Sequence, residues 1–561
     1  MGSVVWRCSL CMRCEGVRQV VQMTKNVQKE ANKVAKSGTV TRIEYCYLAY
    51  LAVMLFARGI GLYEGTTIYT VTLLTGLFLF ALKIMMTDHT VYEYLWMGAF
   101  LLLSLIIYAG TGEKGFLVYM TMMLGLKNVS MRKIFRTGAV IWGIAFSAIF
   151  FLTLTGVVPE KYFMHNKSGI GYVICHAMGY PHSNVFHIAY LVLAAFIIYQ
   201  IGSIKGRKLA VTVLLLMAGN IYVFFYSMSF TGFFATTVFL FFYTYLQIRG
   251  KLGRIERILA QMIFPVCVIF SVAGPVIITG RLYDLINKAL NTRFALSNYF
   301  LTQQPITLFG TRFVVPNYRY TMDCSYVYLF MQLGIVAFMV ICVLYIALIH
   351  DCIRKERYTE LAIILGMCVA GVTEPYMFNL AYKNLIFLFA GAFLFAQSEK
   401  RTQKLPAVLR KHIQLLHSGN CAVSDKLLIT DRIAGYAVRI GTEWKCSHTK
   451  YMIGLIAAAF VMTGICAIGI REPAAIYINE EINESRDIAP VYLSEEQVQQ
   501  LIKEGNIVKD YEGEKVPMYP YTGNTVHIEY VRMLISTGLW TGMLIITATA
   551  AVRIRRSRRK H

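Results

Sequence analysis

Long apolar runs alternate with short polar stretches along most of the chain. A helix that crosses a bilayer needs roughly 20 predominantly apolar residues, and this criterion predicts about fourteen spans. They lie near 44–62, 66–86, 91–109, 114–127, 137–157, 184–203, 209–226, 229–248, 258–279, 325–349, 360–379, 382–397, 451–470 and 531–552. The pattern therefore predicts an all-α fold, that of a polytopic integral membrane protein.

The composition agrees with this class. Of the 561 residues, 57% are hydrophobic and 15% are charged, which is more apolar than a soluble domain requires. The formal net charge is +24, but the basic residues form short clusters between apolar runs, so we expect no nucleic acid partner. Cys8, Cys11 and Cys14 are evenly spaced. No fourth ligand lies near them, so no metal site is predicted.

The basic clusters also orient the spans, because cytoplasmic loops are rich in lysine and arginine. The N-terminal segment has eight basic and two acidic residues, which places it in the cytoplasm. Strict alternation then places every other strong basic cluster on the same side, namely 127–136, 205–208, 249–257, 354–357, 399–411 and the final RIRRSRRK. Both termini are therefore predicted to be cytoplasmic.

The same pattern divides the chain into four parts. They are a cytoplasmic basic N-terminal segment 1–42, a polytopic core 43–398 of about twelve spans, a cytoplasmic linker 399–450 and a transmembrane hairpin 451–561. The core carries two long outer loops, 158–183 and 280–324. The hairpin carries a small extracytoplasmic segment, 471–530, with twelve acidic and four basic residues between Glu472 and Tyr530. We interpret this acidic segment as a binding site for a chain-length regulator or another assembly partner.

The second outer loop is basic, although loops outside the cytoplasm usually contain few lysines and arginines. Its cations are Arg281, Lys288, Arg293, Arg312 and Arg319. Because guanidinium groups bind phosphate oxygens through paired hydrogen bonds, the cluster favours an anionic ligand. On one helix, Arg281 and Lys288 would share a face, with Arg293 nearer the far end. The alternative for each single arginine is a solvated amphipathic helix on the outer surface.

Several other polar residues stand near the predicted outer face. Asp323 precedes a span and is either a general base or a helix cap. His176 and His182 lie in the turn before the sixth span. Each could act as a base or hydrogen-bond to a sugar, or could be an ordinary loop residue. Asn184 shapes that turn.

Glu374 lies inside an apolar run, where an ionisable group normally faces the bundle interior and finds a partner. Arg58, near the outer end of the first span, is the candidate counter-ion. Asn379 and Asn384 follow Glu374 at helical spacing. A buried pair of this kind is as compatible with a structural role as with a catalytic one.

The order of these motifs resembles the O-antigen and capsular polysaccharide polymerase family (Wzy-type), which is related to the O-antigen ligases. The motifs are G-Y-x-H-x-N at 179–184, S-x-T-G-F-F at 229–234, an arginine before L-F-G at 293–310, D-x-S-Y at 323–326 and E-P-Y-x-x-N at 374–379. The resemblance covers roughly residues 40–400. Cys175 and Phe230 stand where family members often have basic residues, and Asp323 stands where ligases carry histidine.

The resemblance implies a metal-independent, inverting membrane glycosyltransferase without a cofactor. Its substrate would be undecaprenyl-diphosphate-linked oligosaccharide on the outer leaflet of the bacterial cytoplasmic membrane. Arg293, with Arg281, Arg312 or Arg319, would bind the diphosphate, and Asp323 or His182 would be the base. Substrate contacts would come from His176, Asn184, Glu374 and Arg58.

Three other functions compete with polymerisation. A ligase-type glycan transferase would use the same outer site. A lipid-linked oligosaccharide flippase serves the same pathway but predicts related halves and short outer loops, and neither is evident in the sequence. A scaffold that only recruits an assembly partner would leave the basic outer loop unexplained.

Overall fold

The computed structural model describes residues 39–558 except 63, 168–169, 317–319, 417–421, 425–432, 434–447, 484–487, 510, 512 and 514. The predictions for Cys8, Cys11, Cys14, Arg319, most of segment 1–42 and much of linker 399–450 lie outside the described residues.

A helix occupies each predicted span. The first nine are α1 (Arg42–Gly59), α2 (Thr67–Met86), α3 (Val91–Thr111), α4 (Gly115–Leu124), α5 (Met131–Leu154), α6 (Ser183–Ile201), α7 (Gly206–Ser227), α8 (Phe230–Arg249) and α9 (Arg254–Val272). The helices after them are α10 (Gly280–Ala289), α11 (Arg293–Gln303), α12 (Gly334–Arg354), α13 (Tyr358–Ala370), α14 (Ile386–Thr402), α15 (His448–Gly469), α16 (Glu495–Lys503) and α17 (Asn524–Arg558). Of these, α10 and α11 lie in the second predicted outer loop and α16 lies in the acidic segment, outside the predicted spans.

Nine helices within the described residues are long and apolar enough to cross a membrane. They are α2, α3, α5, α6, α7, α8, α9, α12 and α17. Large apolar side chains such as Ile68, Leu74 and Phe78 point outward and are more than 60% exposed, as expected where lipid rather than water surrounds the helix. The prediction of a mostly helical membrane protein is confirmed.

Small sheets join the ends of the helices. The strands are β1 (Thr39–Thr41), β2 (His89–Thr90), β3 (Tyr162–Lys167), β4 (Gly171–His176), β5 (His412–Ile413), β6 (Ala422–Ser424), β7 (Ile476–Asn479), β8 (Val491–Leu493), β9 (Ile507–Lys509) and β10 (Val516–Tyr521). The pairs β1–β6, β2–β5 and β3–β4 are antiparallel, and the acidic segment folds around a sheet of order β8-β10-β7-β9. The fold is therefore mostly helical rather than purely all-α.

Two predicted spans are interrupted. The span predicted at 360–379 ends as a helix at Ala370, and only a short 3₁₀ turn at Pro375–Met377 follows before α14. Proline disfavours the helical conformation of the residue before it, which is Glu374. The helical spacing assumed for Asn379 and Asn384 was therefore wrong.

The span predicted at 325–349 begins with a π-helical turn, Tyr328–Gln332, before α12. Gly334 has a φ of +88°, and a Cβ added there would lie 2.6 Å from the Leu308 carbonyl oxygen. Glycine is required because the basic outer loop crosses the chain at this point.

The basic outer loop forms two helices, not one. Helix α10 carries Arg281 and Lys288 and buries no residue, whereas Arg293 begins α11. Leu282 and Leu285 are more than half exposed on α10. Arg281 and Lys288 therefore lie on a solvated amphipathic helix, which was the alternative to anion binding.

Helices α15 and α17 pack closely through Gly538 and Gly542. A Cβ added at Gly538 would lie 2.7 Å from the Ala459 carbonyl oxygen and closer still to Thr463. Small residues four apart allow two membrane helices to approach in this way.

Substitution of Gly538 by leucine is expected to separate this hairpin. The overpacking should destabilise it by ~1–3 kcal/mol, measured as a lower melting temperature of the purified protein. Gly464→Leu on α15 is the matched control, because a Cβ at Gly464 meets nothing within 4 Å. Equal effects of the two substitutions would show that α15 and α17 do not pack through Gly538.

Candidate active site

Loops at one end of the helix bundle converge on Arg293. The residues before it, Asn291 and Thr292, have left-handed φ values of 50° and 68°. This conformation strains a β-branched threonine, and strain of this kind collects at functional sites. The turn directs Arg293 inward, where it is only 7% exposed.

The Arg293 guanidinium lies between two carboxylates. Its Nε donates a hydrogen bond to the Thr373 carbonyl oxygen at 2.8 Å. The same Nε is 3.5 Å from Asp323 Oδ2, and Nη2 is 3.5 Å from Glu374 Oε1. Because both carboxylates are at the limit of hydrogen-bond distance, the guanidinium retains donors for a further anion.

Glu374 is held from two directions. The Thr231 hydroxyl, in the first turn of α8, donates to Glu374 Oε1 at 2.6 Å. The Ser325 hydroxyl donates to the Glu374 carbonyl oxygen at 2.5 Å and accepts the Met377 N–H at 3.2 Å. Three of the sequence motifs, around 229–234, 323–326 and 374–379, therefore meet at Glu374.

Asp323 is the more accessible of the two carboxylates. Its side chain is 30% exposed, against 7% for Glu374. Burial raises the pKa of Asp323, and the Arg293 charge opposes that rise. A carboxylate with a raised pKa and an open face can accept a proton from a hydroxyl.

His182 is the N-cap of α6. Its Nδ1 accepts the Asn184 N–H at 3.1 Å, so the neutral ring carries its proton on Nε2. Burial, followed by the charges of His165, Arg293 and Lys167, lowers the pKa of His182 to about 4. His182 is therefore neutral at pH 7 and offers a donor, and Asp323 is the better candidate for the base.

The remaining predicted residues lie apart from Arg293. Arg281 and Arg312 are exposed. Arg58 is buried, but its Nη2 donates to the Tyr69 hydroxyl at 2.9 Å. The ion partner of Glu374 is Arg293 and not Arg58, because the loop after α13 turns towards α11.

His176 belongs to an ion-pair clamp between the hairpin β3–β4 and α17. Its Nδ1 is 2.9 Å from Glu160 Oε1, and its Nε2 is 3.1 Å from Glu529 Oε1. Glu529 also pairs with Arg532, whose Nε donates to the Phe225 carbonyl oxygen at 2.8 Å. His176 therefore fastens the C-terminal hairpin to the core.

Glu529→Gln is expected to loosen this clamp. Breaking a buried ion pair costs ~3–5 kcal/mol, so protease cleavage within 471–530 should become faster. Glu472→Gln is the matched control, because its pair with His527 is exposed on both sides. If the two substitutions have the same effect on cleavage, the clamp does not hold the hairpin in place.

A cavity of about 460 Å³ lies at the opposite end of the helices. Its lining includes Arg132, Gln200, Gln247, Arg357 and Glu360, and none of the residues around Arg293. The residues packed beside Arg293, among them Phe270 and Phe294, leave a cavity of only about 10 Å³. This cavity has room for no more than about one water. The candidate site therefore lies at the converging charges around Arg293, where the Asp323 side chain is 30% exposed, and not in either cavity.

Three residues that hold Arg293 and Glu374 in place were not among the predicted site residues. They are Thr231, Ser325 and Thr373. Thr231 and Ser325 lie within the sequence motifs, so that signal was present. Thr373 acts through its backbone carbonyl, which sequence cannot reveal.

Comparison of the chain with models of known protein families, with curated proteins and with solved structures gave no match.

Proposed function

We propose that the protein is a polysaccharide polymerase that joins undecaprenyl-diphosphate-linked oligosaccharide units at the outer face of the bacterial cytoplasmic membrane. The chain crosses the membrane about fourteen times, with both termini in the cytoplasm. The observation that carries the proposal is the buried Arg293 between Asp323 and Glu374, assembled from three outer segments. The motifs of the resemblance are the ones that meet there.

The reaction follows from the roles of these groups. Asp323 accepts the proton of the terminal sugar hydroxyl of the acceptor. The freed oxygen attacks the anomeric carbon of the donor from the face opposite the diphosphate, so configuration inverts. The bond from that carbon to the diphosphate breaks, and its electron pair leaves on the diphosphate. Arg293 stabilises the developing charge, and His182 donates from Nε2 to a substrate oxygen.

The charges of the site support this assignment. Arg293 presents a guanidinium group with several donors, and it is buried, where its field is less screened than in water. Glu374 neutralises part of that charge in the absence of substrate and is itself fixed by Thr231. An arriving diphosphate would therefore meet a preorganised cation rather than a flexible surface chain.

A ligase-type transferase is the second candidate, since it would use the same donor and the same arginine. Asp323 stands where ligases carry histidine, which favours the polymerase. A flippase would instead move the intact lipid-linked unit and would require no base.

A strain that lacks the protein tests these functions. Loss of long polysaccharide with a single repeat unit still displayed is the expected result for a polymerase. Accumulation of lipid-linked units on the inner leaflet would indicate a flippase, and long chains left unattached to their final acceptor would indicate a ligase.

A further inference from the structure

Arg58 and Lys383 are two buried cations that interact electrostatically with each other. Arg58 is 8% exposed and Lys383 is 3% exposed. Within the described residues, neither lies within ion-pair distance of an aspartate or glutamate. Burying a cation without an opposite charge is strongly unfavourable, so a stable protein keeps such a pair only where something else offsets its cost.

The local contacts leave donors unused on both side chains. Arg58 donates from Nη1 to the Leu62 carbonyl oxygen at 2.7 Å and from Nη2 to Tyr69, while its Nε is buried without a partner. Lys383 Nζ donates to the Val185 carbonyl oxygen at 2.9 Å, which uses one of three ammonium hydrogens. Both groups can therefore donate to an incoming oxyanion.

Arg58 and Lys383 are linked through Tyr180, which lies beside both. The charges of Lys383 and Arg58 are close enough to repel each other, and Glu374 attracts Lys383. The Tyr180 ring lies 5.7 Å from Lys383 Nζ, and the Tyr180 hydroxyl donates to the Gly59 carbonyl oxygen next to Arg58. A single anion between them would relieve both the repulsion and the desolvation.

The position of Glu374 distinguishes this group from Arg293. Its carboxylate is attracted by both Arg293 and Lys383. A single diphosphate that contacted both Arg293 and Lys383 would also face the Glu374 carboxylate, which would repel it. The second anion must therefore belong to a different part of the substrate, close to the bond that forms.

We propose that Arg58 and Lys383 form a second oxyanion site, which binds a carboxylate or phosphate substituent on the sugar chain. The assignment to a sugar chain rests on the proposed function. The substrate would then be an acidic polysaccharide, with its charged sugar within a few residues of the new linkage.

Binding by purified protein in lipid nanodiscs, measured by native mass spectrometry, tests this site. The probes are undecaprenyl diphosphate, a tetrasaccharide containing glucuronic acid, the same tetrasaccharide carrying phosphate instead of the carboxylate, and its neutral form. At least one acidic tetrasaccharide should bind about tenfold or more tighter than the neutral one, as expected for one charge-assisted contact. The favoured acidic probe identifies the substituent.

Lys383→Met and Arg58→Gln should abolish this preference and leave the affinity for undecaprenyl diphosphate unchanged. Lys114→Gln, at a partly exposed cation paired with Glu64, is the control and should bind all probes like the native protein. The melting temperature of Lys383→Met should be equal or higher, because an uncompensated buried charge is removed.

Three results would overturn the proposal. They are equal binding of acidic and neutral tetrasaccharides by the native protein, a loss of undecaprenyl diphosphate binding in the Lys383→Met variant, and a lower melting temperature of that variant with unchanged affinities. Failure of the proposed function would be seen separately, as undecaprenyl diphosphate binding that does not depend on Arg293.

Discussion

Arg293→Gln is expected to reduce polymer formation by about 10²–10³-fold, the usual effect of removing one group that stabilises transition-state charge. The guanidinium lies between Asp323 and Glu374 and retains donors for the leaving diphosphate. Glutamine fills similar space but carries no charge. The measurement is the rate at which purified protein in proteoliposomes converts lipid-linked repeat units into longer chains.

Two controls keep this result specific. Arg281→Gln removes an exposed cation from α10 of the same outer loop and should leave the rate within about twofold of the native rate, since surface charges contribute little. Arg293→Lys keeps the charge but not the paired donors, so it should restore only part of the activity. Native activity in Arg293→Gln protein that is correctly inserted would remove Arg293 from the mechanism.

Asp323→Asn is expected to lower the rate by about 10²–10⁴-fold, the range for loss of a general base. Asparagine preserves the shape and the hydrogen bonds of the loop but cannot accept the hydroxyl proton. Asp284→Asn, an exposed carboxylate on α10, is the matched control and should be near native. A native rate for Asp323→Asn would exclude Asp323 as the base and would point to Glu374, the other carboxylate at Arg293 in the described part of the chain.

The pH dependence of the native protein follows from the same residue. Burial raises the pKa of Asp323, and only the deprotonated carboxylate accepts a proton. The rate should therefore be constant at higher pH and fall as the pH decreases through that raised pKa. The Asp323→Asn variant should lose this acidic limb and retain its low rate throughout.

Much of the fold was predictable because a membrane span has a simple signature. Apolar length alone located α1 to α9 and α12 to α14 of the core, but not α10 and α11, which lie in a predicted loop. The sequence S-E-E-Q at 494–497 is likewise typical of a helix start, and the Ser494 hydroxyl accepts the Gln497 N–H at the start of α16. These features depend on residues that are close together in sequence.

The site was only partly predictable, because its contacts join distant residues. Arg293, Asp323 and Glu374 were each singled out as candidates, but the pairing of Arg293 with Glu374 depends on the turn at Thr292 and the break at Pro375. The hairpin β3–β4 was missed because its two strands are short and lie within a predicted loop. His176 consequently looked like a sugar ligand, although it contacts Glu529 from α17.

The integration of the C-terminal hairpin is the clearest departure from the sequence-based division. The sequence predicted a transmembrane hairpin at 451–561 as a part of its own, distinct from the core 43–398. Instead, Ile476 and Tyr521 share an apolar cluster with Met164 and Ile174 of the hairpin β3–β4. The β3–β4 hairpin also carries Phe163, whose ring lies 4.6 Å from that of His182. The C-terminal hairpin therefore packs against the strands that contact His182.

We propose that Arg293 acts on the outer side of the membrane. Labelling of Lys288→Cys with a membrane-impermeant maleimide in intact cells tests this. Lys288 is an exposed residue of α10, the helix that precedes Arg293. Lys251→Cys, exposed in a predicted inner loop, is the comparison, and the native protein is the blank. We expect Lys288→Cys to be labelled in intact cells and Lys251→Cys only after permeabilisation; the reverse pattern would contradict an outer active site.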